Sequence, residues 1–185
     1  MESPDAGRRL HQYFKNNSVF YDLFRKARGW LAARRHNLVH GNYSKEQARW
    51  VLAAQQPRIS DIRQHTLAQR RAFGVRLKAL AQAIQRFGAK PVFVTQTWGD
   101  VKRGPEGYYE LHIEGRAAHP AASLVGLELL NEITLSVCQE LELLCLDLAS
   151  EVEFSKTDFY DHIHTSPAGS EKIGDFLFDK LREVL

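Results

Sequence analysis

Hydrophobic residues recur every three or four positions in four segments of the chain, which is the spacing of amphipathic α-helices. These segments cover residues 20–31, 73–87, 127–141 and 173–184. The first is a stripe of aromatic and aliphatic side chains, and the second carries Lys and Arg on its opposite face. The pattern therefore predicts a largely helical chain with one apolar stripe on each helix.

Polar and small residues mark where these helices begin and end. Ser60 is placed to cap the second helix, and Gly88 to end it in the left-handed conformation that glycine adopts without steric penalty. Ser166 followed by Pro167 is typical of a helix start and predicts the last helix. A further short helix is expected over residues 44–54, because its first residues resemble a capping box.

Two short runs are apolar on both faces and are predicted to form buried parallel strands. They cover residues 91–97 and 143–148. Residues 98–120 are rich in Gly, Pro, Tyr and charge, and are predicted to form a long surface loop. The alternation of helices and strands predicts an α/β domain with a parallel sheet. Two strands are few for such a sheet, so either further strands are hidden or the chain is part of a larger domain.

The composition is that of a folded globular protein. The chain has 185 residues, of which 44% are hydrophobic and 25% charged, which excludes a disordered or fibrous chain. Cys138 and Cys145 are too few for a disulfide framework and are interpreted as small core residues. No apolar run is long enough to span a membrane, and residues 1–10 do not resemble a signal peptide, so the localisation stays open.

The net charge of +3 conceals an uneven distribution along the chain. Residues 1–90 carry 18 Lys or Arg and 5 Asp or Glu, whereas residues 91–185 carry 7 and 17. Basic clusters at residues 25–28 and 33–36 raise the alternative of a non-catalytic module that binds a polyanion. No recognised nucleic-acid motif accompanies them, so we do not expect nucleic acid as a partner and place most of the charge on solvent-facing helix surfaces.

The segment before the last helix carries the strongest chemical signal. Asp161 precedes His164 by three positions, so its carboxylate can fold back onto the Nδ1 atom of the imidazole. That contact would fix the ring tautomer and leave Nε2 as a base. The competing interpretation is that these side chains merely line the start of a helix, because an Asp-x-x-His string is common.

The string Asp161-x-x-His164-x-x-x-x-Gly169, followed by an amphipathic helix, resembles the last sequence block of the SGNH (GDSL-type) hydrolases. The long helix running into residues 91–97 is similar to the segment where these enzymes carry a strand ending in Thr-Gln-Pro or a similar sequence. Residues 143–147 resemble their next strand, which often ends in an Asp of structural use.

This resemblance covers roughly residues 60–185. It implies a three-layer α/β/α sandwich with a parallel sheet, flavodoxin-like in type, that hydrolyses carboxylic esters, often acyl groups on carbohydrate or lipid. Residues 1–185 would then be one partial SGNH-like domain, with a helical segment at 1–58 and the α/β part at 59–185. The resemblance makes His164 the general base and Asp161 its orienting carboxylate, and it implies no metal or other cofactor.

Other signatures of the family are missing from the sequence. The family nucleophile lies in a Gly-Asp-Ser string, whereas Gly99-Asp100 is followed here by Val101. The oxyanion-hole glycine and the Gly-x-Asn-Asp block are not found either. The nucleophile is therefore unknown, and we expect an N-terminally truncated domain that is inactive by itself, because these groups supply most of the rate enhancement. A folded but inactive SGNH-like protein is the remaining alternative.

Aromatic and histidine side chains elsewhere are further candidates. Trp98 and Tyr108 are expected to form either a substrate platform at the end of a strand or an aromatic lid over the core. His162 is expected to face solvent or substrate. His112 and His119 lie in the predicted loop without an acidic or cysteine partner at metal-binding spacing, so they are interpreted as plain loop residues.

Overall fold

The computed structural model describes residues 45, 47–115 and 117–182, together with seven positions between 19 and 31. Contacts divide the chain into residues 1–41 and residues 42–185. In the first unit the seven described positions are helical, as the hydrophobic stripe predicts, and their large apolar side chains are exposed. The predicted cap at Ser44 and the basic cluster at residues 33–36 lie outside the described residues.

The described part of the second unit contains five strands and five α-helices. The strands are β1 (Arg49–Leu52), β2 (Val92–Val94), β3 (Val101–Gly104), β4 (Gly107–His112) and β5 (Leu144–Leu146). The helices are α1 (Ile59–His65), α2 (Leu67–Arg86), α3 (Ala122–Glu140), α4 (Leu148–Glu151) and α5 (Pro167–Leu181), with a 3₁₀ turn at Lys156–Asp158. The fold is therefore mixed α/β, with two small sheets.

The two predicted strands pair with each other in parallel. Val92 lies opposite Leu144 and Val94 lies opposite Leu146, so β2 and β5 run side by side in one two-stranded sheet. Both strands are shorter than the apolar runs that predicted them. Residues 91–97 supply three strand residues, and Leu148 already begins α4.

The predicted surface loop at residues 98–120 and the predicted short helix at residues 44–54 are both wrong. The first contains the antiparallel hairpin β3–β4, and the second contains β1, which pairs with the other side of β4. Val101, Tyr108 and Leu111 are all buried, with Val101 only 1% exposed. The hairpin therefore forms because its apolar side chains find a core, although its Gly, Pro and charged residues are typical of a loop.

The core of this region lies between the antiparallel sheet and α3. Its buried residues come from β3, β4, α3 and the segments next to them: Ala53, Val101, Tyr108, Ala121, Leu124, Val125 and Leu129. Ile62 and Trp98 pack against its edge. The three-stranded sheet that the sequence did not predict therefore helps to form the main buried cluster.

The long basic helix predicted from residue 60 is two helices that break at Thr66. The Thr66 hydroxyl donates to the carbonyl of Ile62 at 2.7 Å, and Arg58, not the predicted Ser60, occupies the N-cap position of α1. Gly88 has a φ of +86°, which confirms the predicted left-handed residue after α2.

Basic residues of the first half of the chain pair with acidic residues of the second half. Arg63 on α1 lies 2.9 Å from Glu132 on α3, and Lys78 on α2 lies 2.5 Å from Glu140. These exposed pairs each contribute about 1 kcal/mol or less. The uneven charge distribution is thus in part the complementarity of helices that pack together.

Cys138 and Cys145 are joined in a disulfide, with their Cα atoms 6.0 Å apart. Cys138 is buried, as expected of a core residue, and the bond between the two cysteines was not predicted. They come together because the chain reverses directly between α3 and β5.

Among the described residues, no helix has the length and apolar character required to cross a membrane.

The start of α5 is fixed against the 3₁₀ turn before it. Ser166 caps α5 as predicted, with its side chain accepting from the Gly169 N–H at 3.3 Å. The backbone N–H of Ser166 donates to the carbonyl of Asp158 at 2.8 Å. Gly169 lies so close to this carbonyl that a Cβ atom would come within 2.1 Å of the oxygen. Since that oxygen belongs to the backbone, a side chain cannot be accommodated by a rotamer change.

We expect the substitution Gly169→Ala to lower the free energy of unfolding by about 2 kcal/mol or more, because the new methyl group forces α5 away from Asp158. The matched control is Gly174→Ala in the same helix, where a Cβ atom meets nothing within 4 Å. This control should be more stable than the wild type by about 0.5–1 kcal/mol, the helix propensity difference. Urea unfolding of both variants measures the difference, and equal stabilities would contradict the close contact.

Candidate active site

The loop between the 3₁₀ turn and α5, residues 159–166, is closed by backbone contacts at its base. Phe159 and Thr165 form an antiparallel bridge. Inside it, the Tyr160 N–H donates to the carbonyl of His164 at 3.0 Å. The residues between these contacts are therefore held in a tight turn that begins next to the 3₁₀ turn and ends at the cap of α5.

Within this turn the carboxylate of Asp161 bonds to both the backbone and the ring of His164. Its Oδ1 accepts from the N–H groups of Ile163, at 2.8 Å, and His164, at 2.7 Å. Its Oδ2 lies 2.6 Å from Nδ1 of the His164 imidazole. The contact that the Asp-x-x-His spacing predicts is present.

These hydrogen bonds set the charge of the Asp161 carboxyl group. Partial burial favours the neutral acid, but the N–H groups of His164 and Ile163 and the His164 ring outweigh it, and lower the pKa of Asp161 to about 2. At neutral pH the group is a carboxylate and only accepts hydrogen bonds. Nδ1 of His164 must therefore be the donor in this contact, which sets the tautomer so that Nε2 is the acceptor nitrogen of a neutral ring.

The His164 ring is accessible and supported on one face. Its side chain is 46% exposed. The ring stacks on Tyr160, with centroids 5.5 Å apart and planes 7° from parallel. The ring is thus oriented by Asp161 at one nitrogen and by Tyr160 on one face, a suitable arrangement for a base that a substrate can reach.

A cleft of about 460 Å³ lies beside this histidine. His164 and Thr165 contribute polar atoms to its wall, and so do the residues that follow β2. Most other lining side chains are apolar: Val94, Trp98, Leu127, Leu148, Phe154, Phe159, Ile163, Ile173 and Leu177. A base at the edge of an apolar cleft of this size fits a small organic substrate with an apolar part.

The cleft is placed by the carboxyl ends of the two parallel strands. Thr95, after β2, donates its hydroxyl to Asp147, after β5, at 2.7 Å. Asp147 in turn accepts from the Ser150 hydroxyl at 2.5 Å, and the Ala149 N–H donates to the Thr95 hydroxyl at 3.0 Å. Asp147 therefore ties the two strand ends to α4, and ligands of parallel sheets commonly bind at such ends.

A second polar cluster lies next to the pair of Asp161 and His164, here called the dyad, and centres on a buried ion pair. The Lys45 ammonium lies 2.5 Å from Oδ1 of Asp100, and the two side chains are 2% and 5% exposed. Lys45 also donates to the backbone carbonyl of Asp161 at 2.7 Å. One buried lysine thus links the turn that carries the dyad to the residue before β3.

Two histidines and a tryptophan complete this cluster. His119 Nδ1 lies 3.2 Å from Oδ2 of Asp100. The His119 and His162 rings are 4.3 Å apart between centroids, and Trp98 lies 5.0 Å from His162. Burial lowers the pKa of His162, and the proximity of the His119 imidazole lowers it further.

Of the three candidate substrate-binding residues of the sequence, the structure brings Trp98 and His162 into ring contact and places Tyr108 in the core. Trp98 lines the cleft beside His164 and also a second cleft of about 470 Å³. Tyr108 is a core residue whose hydroxyl group is bonded to Arg103 and Glu128, so the aromatic-lid interpretation suits it better than a substrate platform. His162 is half-buried against His119 and Trp98, where open solvent or substrate contact was expected.

Sequence reasoning missed Lys45 and Asp100, and it misinterpreted His119. His119 is not a plain loop residue, because Asp100 is its acidic partner. The two are brought together by the β3–β4 hairpin, since the Leu111 N–H donates to the Asp100 carbonyl and the chain then returns through residues 117–121. The pattern carried no signal for this contact, because the hairpin itself was predicted as a loop.

We expect Asp161 to stabilise the fold in a defined pH window. Its folded pKa of about 2 lies below the ordinary value of 3.8, so its contribution is complete above pH 4 and is lost as the pH falls from 4 to 2. As the pH rises from 2 to 4, the free energy of unfolding of the wild type should increase by about 2 kcal/mol relative to that of Asp161→Asn. Denaturant unfolding at several pH values measures it, with Asp175→Asn on α5 as the charge control. A carboxyl titration by NMR with a midpoint near 3.8 would contradict the assignment.

No family model matches this chain, and no curated protein or solved structure is significantly similar to it. The likeness to SGNH hydrolases therefore rests on the residues quoted from the sequence.

Proposed function

We propose that this protein is an SGNH (GDSL-type) ester hydrolase in which Asp161 and His164 form the acid–base dyad. The observation that carries the proposal is the 2.6 Å contact between Oδ2 of Asp161 and Nδ1 of His164, at the edge of an apolar cleft. The two backbone N–H bonds to Oδ1 keep the carboxylate ionised and aimed at the ring. Orientation of a histidine by a carboxylate is the arrangement that serine hydrolases require.

In the proposed reaction, Nε2 of His164 takes the proton from a hydroxyl group as its oxygen attacks the ester carbonyl. The imidazolium then gives this proton to the departing alcohol, which leaves an acyl-enzyme. A water molecule repeats the sequence and releases the acid. The charge of Asp161 stabilises the imidazolium in both steps, and its bond to Nδ1 keeps the ring in the required tautomer.

The walls of the cleft indicate the substrate class. Since nine of the lining side chains are apolar or aromatic, the cleft suits the acyl chain of an ester better than a sugar ring. The alcohol part would lie toward solvent, on the exposed side of His164. The proposal includes the three-layer α/β/α sandwich that the family implies, for which the parallel pair β2–β5 is the supporting observation.

The nucleophile is unassigned, because no serine is among the described residues that line the cleft. Three threonines line it. The Thr95 hydroxyl is engaged with Asp147, and the Thr165 hydroxyl lies 2.8 Å from that of Ser170. Thr97 is half-buried in the same wall, and within the described part of the chain its hydroxyl has no hydrogen bond. It is the first residue to test as nucleophile.

The proposal predicts, in contrast to the inactivity expected from the missing family motifs, that purified protein hydrolyses p-nitrophenyl esters, with longer acyl chains up to butyrate or hexanoate favoured over acetate. His164→Ala and Asp161→Asn should each lower kcat/KM by about 100-fold or more, the usual contribution of a positioned base. His112→Ala is the matched control, because His112 is exposed on β4 and does not line the cleft. Its rate should equal that of the wild type.

Thr97→Val in the same assay tests the nucleophile, since it replaces the hydroxyl by a methyl group of similar size. Equal rates in the wild type and in His164→Ala, for every acyl length, would overturn the proposal. That result would favour the alternative of a folded, inactive SGNH-like protein.

A further inference from the structure

Three side chains from separate parts of the chain converge beside the dyad in a pattern typical of metal ligands. Asp100 precedes β3, His119 precedes α3 and His162 precedes α5. One oxygen or nitrogen atom from each of the three lies within 4.8 Å of the other two. Two imidazoles and one carboxylate are the ligand set of many zinc sites that keep a fourth position for water.

The distances within this cluster favour a small cation. Oδ2 of Asp100 and Nδ1 of His119 are 3.2 Å apart. Two ligands bound to zinc at tetrahedral angles are separated by about 3.3 Å, because each bond is about 2.0 Å long. One nitrogen of His162 lies within 4.8 Å of the other two ligand atoms, so a small movement of its ring completes the set.

The backbone around the ligands is held in place by protein contacts. The Gly99 N–H donates to the carbonyl of His162 at 2.8 Å, and the Leu111 N–H donates to that of Asp100 at 2.8 Å. These bonds fix two of the three ligand residues relative to each other. The ligand residues should therefore move little when an ion binds, because metal sites depend on such supporting contacts.

Lys45 orients the carboxylate from outside the ligand set. It occupies Oδ1 of Asp100, which leaves Oδ2 directed at the histidines as a single-oxygen ligand. Hydrogen bonding of the second oxygen of a ligating carboxylate is a common outer contact of metal sites. The ammonium also repels a cation, so a titration must extend into the high micromolar range.

We propose that Asp100, His119 and His162 bind one divalent transition-metal ion of the zinc class, with water in the fourth position. Imidazole ligands select zinc and its neighbours over magnesium or calcium, which prefer oxygen ligands throughout. Neither Asp161 nor His164 belongs to this ligand set, so a zinc titration and an ester assay test the metal site and the proposed function separately.

The test is titration of untagged, chelator-treated full-length protein with zinc chloride by calorimetry, and with cobalt chloride by absorption. We expect one ion per chain and the intense visible bands of four-coordinate cobalt. His119→Gln and His162→Gln should each weaken binding by about 100-fold or more, since outer contacts alone contribute up to that factor. His112→Gln, on the neighbouring strand, should bind as the wild type does.

A second measurement does not depend on how well the variants fold. In the wild type, histidine ring signals in ¹H–¹⁵N NMR spectra should shift on zinc addition at residues 119 and 162, and stay in place at residues 65 and 112. Absence of zinc binding, unchanged binding in both Gln variants, or shifts confined to other histidines would each overturn the proposal. Absence of binding would leave the 3.2 Å contact as a simple hydrogen-bonded pair of Asp100 and His119.

Discussion

The position of the histidine-bearing loop depends on how closely α5 approaches the backbone of Asp158. Gly169 allows this approach, and the Ser166 N–H bonds to the same carbonyl. The carboxylate of Asp158 bonds to Lys172 on the next turn of α5 and to the Ser155 N–H, and these bonds lower the pKa of Asp158 despite its burial. Both ends of the loop are therefore fixed to Asp158, and these contacts set the orientation of the dyad.

The same loop serves two polar clusters through different atoms of adjacent residues. The side chain of Asp161 orients His164, while its backbone carbonyl accepts from Lys45. His162 presents its ring to His119, while its carbonyl accepts from Gly99. A change in either cluster acts on the backbone of the other, so their energies are coupled even though their side chains are distinct.

How much of this fold and site can be predicted from the sequence depends on how far apart the interacting residues lie along the chain. The helix stripes, the cap at Ser166 and the contact of Asp161 with His164 are local, and a period or a spacing of three residues reveals them. The β3–β4 hairpin is not visible in the same way, because Gly104 to Gly107 and the charges around it obscure a weak alternation. The cluster around Asp100 depends on that hairpin, so it stayed hidden as well.

Lys45 makes contacts that span nearly the whole of the second unit, reaching 55 residues along the chain to Asp100 and 116 residues to Asp161. Closing such long loops costs conformational entropy that local helices do not incur. During synthesis the Lys45 ammonium cannot bind the carbonyl of Asp161 until the segment after the 3₁₀ turn has left the ribosome. The polar centre of this protein is therefore a late product of folding, and it exists only once residues 45 to 161 are all present.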